Sequence, residues 1–574
     1  MAEYPDFKHG TRGEVVANGL KISGNGKTKQ AIVYFGVAPV NQVTGGAKNV
    51  NKPILVKNIA DAKKYLGYSD DYAKYTLCEA MHTHFELKGV GPLVFINVLD
   101  PAKHKKTVEA SEQKTPSSGT ITISDADMVI VGTIAVATKV KDTDYTVAVN
   151  AENNTVVLTE KSEGSLGSTA LTVTYTKIDG GSASLTPING RVTLVSAEDI
   201  ILDSLVVKSG GTVKVLGQDY TATYDFSKKV IVIAEKTAGA LGTSTLTITY
   251  TKVDPTAVTA ADLLGETDDH GYNTGIYAVR NVYNDTGYIP AFLLAPGFSH
   301  IPDVHNALYV NSQKIGGHWN AWLFVDMPIV DALGNAVTLE NAPTWKVNNG
   351  YNKDNESVFF PLAKGTDGQK YHLSVLNAAN FQELLNQNNG VPYMTGSNTT
   401  CAIIQDLYFG EAVTGRVYTD DIINKCLNAN GINSAAYVGG RWVIWGMFAG
   451  SYNQDDATTI NVNDTCLMML YYLTNDFQHR RNVDIDKPMP INALKSMVAE
   501  EQSRVDALLG IGALTYGKVV LDASQEARSD IYSGDFRILF NVTNTPLAKS
   551  LTAIANWTAD GYEVYFQAMD EMAG

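Results

Sequence analysis

Apolar residues recur along this chain in three successive rhythms. From Ala31 an almost unbroken run, Ala31-Ile32-Val33-Tyr34-Phe35-Gly36-Val37-Ala38-Pro39, has the pattern of a strand covered on both faces. Asn58 is placed to cap a short helix with Ile59, Ala62 and Leu66 on one side and Gly67 at its stop. A second helix is expected from about Asp71 to Lys88, then a buried strand from Leu93 to Leu99. Strand, helices and buried strand make an α/β unit. The same rhythm returns with a strand at Ala291–Ala295, a helix opened by Pro302-Asp303 and a strand at Ala321–Asp326. Residues 330–400 are polar and Asn/Gly-rich, with Phe359-Phe360-Pro361-Leu362 as their anchor.

Between these halves, residues 104–257 switch to a Thr/Val/Tyr alternation of period two, the signature of strands. They are also duplicated. Leu166-Gly167-Ser168-Thr169-Ala170-Leu171-Thr172-Val173-Thr174-Tyr175-Thr176-Lys177 is answered 75 positions later by Leu241-Gly242-Thr243-Ser244-Thr245-Leu246-Thr247-Ile248-Thr249-Tyr250-Thr251-Lys252. Asp144-Tyr145-Thr146 pairs with Asp219-Tyr220-Thr221 at the same offset. Two small β-sandwiches, similar to bacterial immunoglobulin-like modules, are expected to protrude from the α/β domain that they interrupt.

The third rhythm is helical. A helix from Asp464 ends at Arg480-Arg481, and another places Ile491, Leu494, Met497, Val498, Val505, Leu508 and Leu509 at i, i+3 and i+4 spacing. Phe536, Ile538, Phe540 and Val542 then alternate with Arg537, Leu539 and Asn541, and Tyr562, Val564 and Phe566 with Glu563, Tyr565 and Gln567. Both read as strands with one apolar face. A short alternation near the start, Val15, Val16, Leu20 and Ile22, is too small to bury itself. A strand-like segment at each end of the chain, on glycine-containing tethers, is what β-augmentation of a neighbour requires, with the Phe536–Val542 strand as receiving sheet.

Composition narrows the function. With 574 residues the chain holds three or four domains, and 44% hydrophobic with 18% charged residues is globular. A net charge of −15 repels a phosphate backbone, so nucleic acid is excluded as a partner. The most apolar window, Ala435–Ala449, is broken by Arg441 and too short for a bilayer, so no membrane insertion is expected. The polar opening Met1–Lys8 lacks a secretory signal, which predicts synthesis in a cytoplasm. Cys78, Cys401, Cys426 and Cys466 lie far apart and read as reduced thiols.

Candidate chemistry does not assemble into a motif. Gly24-Asn25-Gly26-Lys27-Thr28 resembles a phosphate loop, but Lys21 stands where its first glycine belongs. Glu79-x-x-His82 with His84 and Glu86 has metal-ligand spacing without the second Glu-x-x-His of a di-metal bundle, and reads as a polar helix face. His300 and His305 flank Asp303 at a helix start, and Asp326 ends a strand without a glycine-rich turn beside it. No Gly-x-Ser-x-Gly elbow or Cys/His pairing occurs. No catalytic residue, cofactor or metal site is therefore expected. One compact basic cluster, His479-Arg480-Arg481, either complements a helix C-terminus or meets an acidic partner.

The order Leu427-Asn428 with Gly431-Ile432-Asn433, then Arg441-Trp442-Val443-Ile444-Trp445-Gly446, then the arginine-ended helix, then Leu508-Leu509-Gly510-Ile511-Gly512-Ala513-Leu514 and a strand at Lys518–Leu521, resembles the C-terminal half of contractile tail sheath proteins of myophages and R-type bacteriocins. Pro53 through Gly67, Lys88 with Val90-Gly91-Pro92 before its strand, Ala295-Pro296-Gly297 and Val325-Asp326 extend the likeness, which covers roughly residues 29–103 and 258–545.

The resemblance implies an α+β multidomain chain. Its parts are an N-terminal arm (1–28), an α/β core domain (29–103 and 258–395) interrupted by the sandwich insertion (104–257), a C-terminal α+β sheath domain (396–545) and a C-terminal arm (546–574). It implies a structural subunit that polymerises round an inner tube and contracts to drive it through a bacterial envelope. Its partners would be further copies of itself, the inner tail tube protein, and baseplate and tail terminator proteins. Its place would be a virion tail or bacteriocin particle assembled in the bacterial cytoplasm, with His479, Arg480 and Arg481 as candidate tube contact. Two other readings stand beside it: a surface or adhesin-type protein carrying immunoglobulin-like repeats, which requires a signal and an anchor, and an enzyme with carbohydrate-binding modules, which requires a close carboxylate pair.

Overall fold

The computed structural model describes residues 29–410, 419–455 and 460–574. Its centre is an eight-stranded sheet of β1 (Gln30–Gly36), β2 (Pro53–Val56), β3 (Leu93–Asn97), β4 (Ile289–Leu294), β5 (Trp322–Asp326), β6 (Glu356–Phe359), β7 (Ile432–Val438) and β8 (Arg441–Trp445), ordered β2-β3-β1-β4-β5-β6-β7-β8. Strands β3 to β7 run parallel, and β2 and β8 close the two edges antiparallel. The continuous apolar runs lie here because helices cover both faces: β3, β4 and β5 are buried throughout.

Two strands arrive from outside the expected boundary. The segment of β7 and β8, read as part of the C-terminal domain, completes the central sheet. Its apolar stretch is folded back by Gly439-Gly440, both at positive φ, so that Arg441 and Tyr437 face outward at the sheet edge.

Helix α1 (Ile59–Tyr65) starts as expected, with the Asp61 N–H donating to Asn58 Oδ1 at 3.0 Å. Helix α2 (Thr76–Met81) begins five residues later than expected and continues as a wider turn through Leu87. Helix α3 (Pro302–Asn311) carries Pro302 in its first turn. The polar region conceals α4 (Leu373–Gln387), which packs on β5 and β6 and buries Asn377, Asn380 and Gln382 along with its apolar side chains. Buried amides blur the apolar stripe by which such a helix is recognised.

The insertion is two β-sandwiches, each with its own core between two sheets, of six strands in the first module and seven in the second. Gly119 corresponds to Gly190, 71 positions on, whereas Asp144 corresponds to Asp219, 75 positions on. The four added residues of the second module form the tip of its hairpin, Val206–Ser209 paired with Thr212–Lys214. The chain leaves the α/β body at His104 and returns at Asp254, whose N–H donates to the His104 carbonyl at 2.8 Å. Lys105 and Val253 bridge beside it, making a two-strand neck. The second module rests on the body through polar contacts: Asn41 Nδ2 donates to the Glu198 and Ile200 carbonyls (2.9 and 3.1 Å), and the Ser69 hydroxyl to Glu198 Oε1 (2.5 Å).

A last unit has a core of its own. It holds α5 (Asp464–Arg481), α6 (Ile491–Gly510) and a hairpin of β9 (Leu514–Leu521) and β10 (Ile538–Asn544). All four cysteines are free, with Cys78 and Cys401 buried. Among the described residues no helix is long and apolar enough to cross a membrane.

Because the neck closes on itself, replacing residues 105–253 by a short glycine linker should leave the α/β body cooperatively folded. Near-ultraviolet circular dichroism and a single body transition in calorimetry check this; loss of that transition would show that the modules carry the body's stability.

Candidate assembly surface

Helix α6 presents Met497, Val505 and Leu508 to the hairpin and buries Leu494 beside them, whereas Ile491, expected on the same stripe, is exposed at the first turn. The two elements touch closely at Gly517: a Cβ there would lie 2.0 Å from Val505 Cγ1. On β10 the side chains of Ile538, Phe540 and Val542 are buried in this core, with Phe540 edge-on to Phe477 of α5. Phe536 departs from the expected alternation. It precedes the strand and is exposed, because the β9–β10 connection turns at Gly534 (φ +85°) and only then enters the ladder.

The two edges of this hairpin differ. The Asp522 N–H donates to the Arg537 carbonyl at 2.9 Å, so the ladder's alternation bonds Val520 to Leu539 and Lys518 to Asn541 and turns the backbone of Gly517 and Val519 outward. That edge is occupied by α6. The Val519 N–H donates to Gln502 Oε1 at 2.7 Å, and Gln502 Nε2 donates to the Gly517 carbonyl at 3.3 Å. A single amide side chain satisfies the groups that a third strand would use. The same alternation points the backbone N–H and C=O groups of Ile538, Phe540 and Val542 away from β9, and among the described residues none of these groups has a hydrogen-bond partner. Sequence periodicity had no means of separating the two edges, since it depends on where Gln502 falls on a neighbouring helix.

The basic cluster is engaged internally. Arg480 meets Asp476 at 2.9 Å and Glu501 at 3.5 Å, and Arg481 meets Glu501, Glu500 (2.8 Å) and Asp484 (3.5 Å). His479 Nδ1 lies 3.0 Å from the Tyr283 hydroxyl. Both guanidinium side chains are largely buried, and the charges named as a candidate tube contact tie α5 to α6 within the chain. Glu501 is fully buried, and burial pushes its carboxyl up against the pull of the two arginines. Glu501 lies twenty residues beyond the cluster, inside a helix whose exposed face is rich in carboxylates, and nothing local marked it as the partner.

At the N-terminal end, Val15, Val16, Leu20 and Ile22 lie outside the described residues, as do Gly24–Thr28. Tyr562, Val564 and Phe566 are not on a strand. They begin a helix, α7 (Glu563–Ala573). Over five residues an alternation of two coincides with part of a helical stripe, and Tyr562, Tyr565, Phe566, Met569 and Met572 continue at helical spacing. After β10 the chain forms no regular element until a single 3-10 turn, Asp560–Tyr562, leads into α7, and every residue from Ala548 to Gly574 is exposed. Lys549 reaches back to the Tyr452 hydroxyl at 3.3 Å.

The metal-spaced set on α2 disperses. Glu79 is buried and pairs with His372 Nδ1 (2.7 Å), His82 pairs with Glu86 (2.7 Å), and the buried His84 Nε2 is hydrogen-bonded with the Tyr34 hydroxyl (2.7 Å), with burial pushing its imidazole down to about 3. The helix face is therefore largely interior rather than a solvated polar face. Burial would lower His372 while Glu79 and Asp326 pull it up; the Gly297 N–H donates to Nε2 at 3.1 Å, which holds the ring neutral with Nδ1–H towards Glu79. His305 pairs with the buried Glu356 at 2.5 Å, and Asp326 accepts from the Ser374 hydroxyl at 2.5 Å. These carboxylates are taken up by structural partners, Glu356 also accepting from the Lys353 N–H at 2.9 Å, and among the described residues no three His, Cys, Asp or Glu groups converge on a metal position.

No family model matches the chain. It is similar to the tail sheath protein of Burkholderia phage BcepMu, 23% identical over 361 residues that span 61% of this chain and 72% of that protein. Among solved structures, the sheath tail protein from Desulfitobacterium hafniense aligns over 89% of this chain and 93% of its own at 11% identity and a TM-score of 0.43. The sheath tail protein from Listeria innocua aligns over 91% and 97% at 10% identity and 0.39. The baseplate of the anti-feeding prophage aligns over 51% and 74% at 16% identity and 0.37. The likeness to tail sheath proteins read from the sequence is met by a relative that bears that name.

Two predictions follow from the buried charges. Replacing Glu501 by alanine removes the one fully buried carboxylate that Arg480 and Arg481 share, leaving them only Asp476, Glu500 and Asp484, and should cost about 3 kcal/mol in denaturant unfolding of the C-terminal unit; a loss below ~1 kcal/mol would show the network to be solvated. Asp464, buried at the start of α5, has its carboxyl pushed up to about 7 by burial. A folded value above the unfolded one, about 3.9, means stability that is full below that pH and falls as pH rises towards 7. Asp464→Asn should therefore raise the thermal midpoint more at pH 8 than at pH 5, and an equal effect at both would reject the assignment.

Proposed function

We propose that this chain is a structural, non-enzymatic subunit of a contractile tail sheath, polymerising as a cylinder round an inner tube. The observation that carries the reading is the unpaired edge of β10, buried in side chain but unsatisfied in backbone, on a chain whose C-terminal 27 residues are exposed. An incoming strand from a neighbouring copy satisfies that edge by main-chain hydrogen bonds. The donor at the C-terminal end is the stretch before α7, where Leu551 and Trp557 are exposed, and not Tyr562–Phe566. At the other end it is the segment with Val15, Val16, Leu20 and Ile22.

Arm and receiving edge are different patches of one chain, so the contact is heterologous and growth is open-ended. Contraction then runs between two packings of folded subunits joined by the same strands. About 1 kcal/mol gained per subunit becomes on the order of hundreds of kcal/mol along an array of some hundreds of copies. The inner tube, baseplate and terminator proteins are the partners this reading entails, in a tail assembled in the bacterial cytoplasm.

Electron microscopy of the protein expressed alone tests the proposal. Full-length chains should form tubes, and chains lacking residues 1–28 or 546–574 should remain folded monomers by sedimentation. Unaltered tubes from both truncations would overturn it.

A further inference from the structure

The chain carries two open faces that suit each other. One belongs to α7: Tyr562, Tyr565, Phe566, Met569 and Met572 form an exposed apolar stripe, met only at Tyr562 by the Trp557 ring of the preceding segment (6.5 Å) and flanked by Glu563, Asp570 and Glu571 and by no basic residue. The other is the back of the β9–β10 hairpin. Core-facing positions on these strands are Gly517, Val519, Leu521, Ile538, Phe540 and Val542, so the reverse face shows Tyr516, Lys518, Val520, Leu539, Asn541 and Thr543. Helices α5 and α6 cover the first face; on the reverse side Arg537 pairs with Glu526 at 3.5 Å and with Asp530 of the short connecting helix Gln525–Asp530, which leaves the end of the face at Tyr516 and Lys518 open. Tyr516 is half exposed, Val520 and Leu539 are incompletely buried, and Lys518 stands exposed among them with no carboxylate on the strands beside it.

We propose that α7 of a second copy packs across this reverse face, apolar stripe on Tyr516, Val520 and Leu539, with its carboxylates around Lys518. A sheet needs a layer on each apolar face, and here the reverse layer is incomplete, with Val520 and Leu539 partly buried and Tyr516 half exposed. The helix is amphipathic with its stripe in water, and its charge opposes that of the strand face. The occupant is a second copy because the chain's own arm, exposed from Ala548 onward, leaves both faces open. The inference rests on the sheath reading and adds to it a helical clasp that is separate from the strand edge of β10.

The test places a photo-cross-linking phenylalanine analogue at Phe566 in the full-length chain and assembles a mixture of isotopically heavy and light protein. Heavy–light cross-links to residues 516–520 or 539–543 are expected, and Met569→Asp should cut the sedimenting fraction several-fold while leaving thermal unfolding unchanged, since α7 contributes to no core. Tubes that form with cross-links only elsewhere, or only within one chain, overturn the clasp and leave the sheath reading standing. Chains that never assemble defeat both.

Discussion

A backbone amide removed from water must find a partner, and the arrangement of the C-terminal unit follows from that constraint. Two strands are too few to satisfy each other on both sides. One edge is closed by Gln502, whose amide offers an acceptor to Val519 and a donor to Gly517 at strand spacing. The other is left with Ile538, Phe540 and Val542 holding their side chains in the core and their polar groups outward. The unit is thus complete as a hydrophobic body and incomplete as a hydrogen-bonded one.

What holds the open edge in position is the seating of α6. Val505 occupies the space that a side chain at Gly517 would fill, and Glu501 draws Arg480 and Arg481 of α5 onto the same helix. Buried charges of this kind stabilise little in net terms but penalise any other registration of the helices, since a shift leaves a carboxylate unpaired in the core. In the proposed sheath, an edge that accepts a neighbour's strand needs such fixed geometry.

Legibility in the sequence followed the range of the interactions. The runs at Ala31–Pro39 and Leu93–Leu99 announced a doubly covered sheet because each is buried on both faces by itself. The duplication was visible because Asp144 and Asp219 stand in nearly identical surroundings. Helix α4 was hidden because Asn377 and Asn380 are polar yet buried, their partners lying elsewhere in the fold. Tyr562–Phe566 misled because five residues cannot tell a period of two from part of a helical stripe. The arginines at 480 and 481 were found and their use was not, because Glu501 reaches them through a helical turn-back that composition does not encode.

The neck at His104 and Asp254 has a consequence for how the chain acquired its cargo. Closing a loop costs only about 0.6 kcal/mol for each doubling of its length, and here the ends are already held by a hydrogen bond and by strands that pair outside the body. Once one sandwich was spliced in at that point, copying it in tandem added almost nothing to the entropic cost of folding the host domain. The body therefore meets the outgrowth at its neck and along one side of the second module, where Asn41 and Ser69 hold Glu198, and among the described residues the first module adds no further contact of this kind with the host domain.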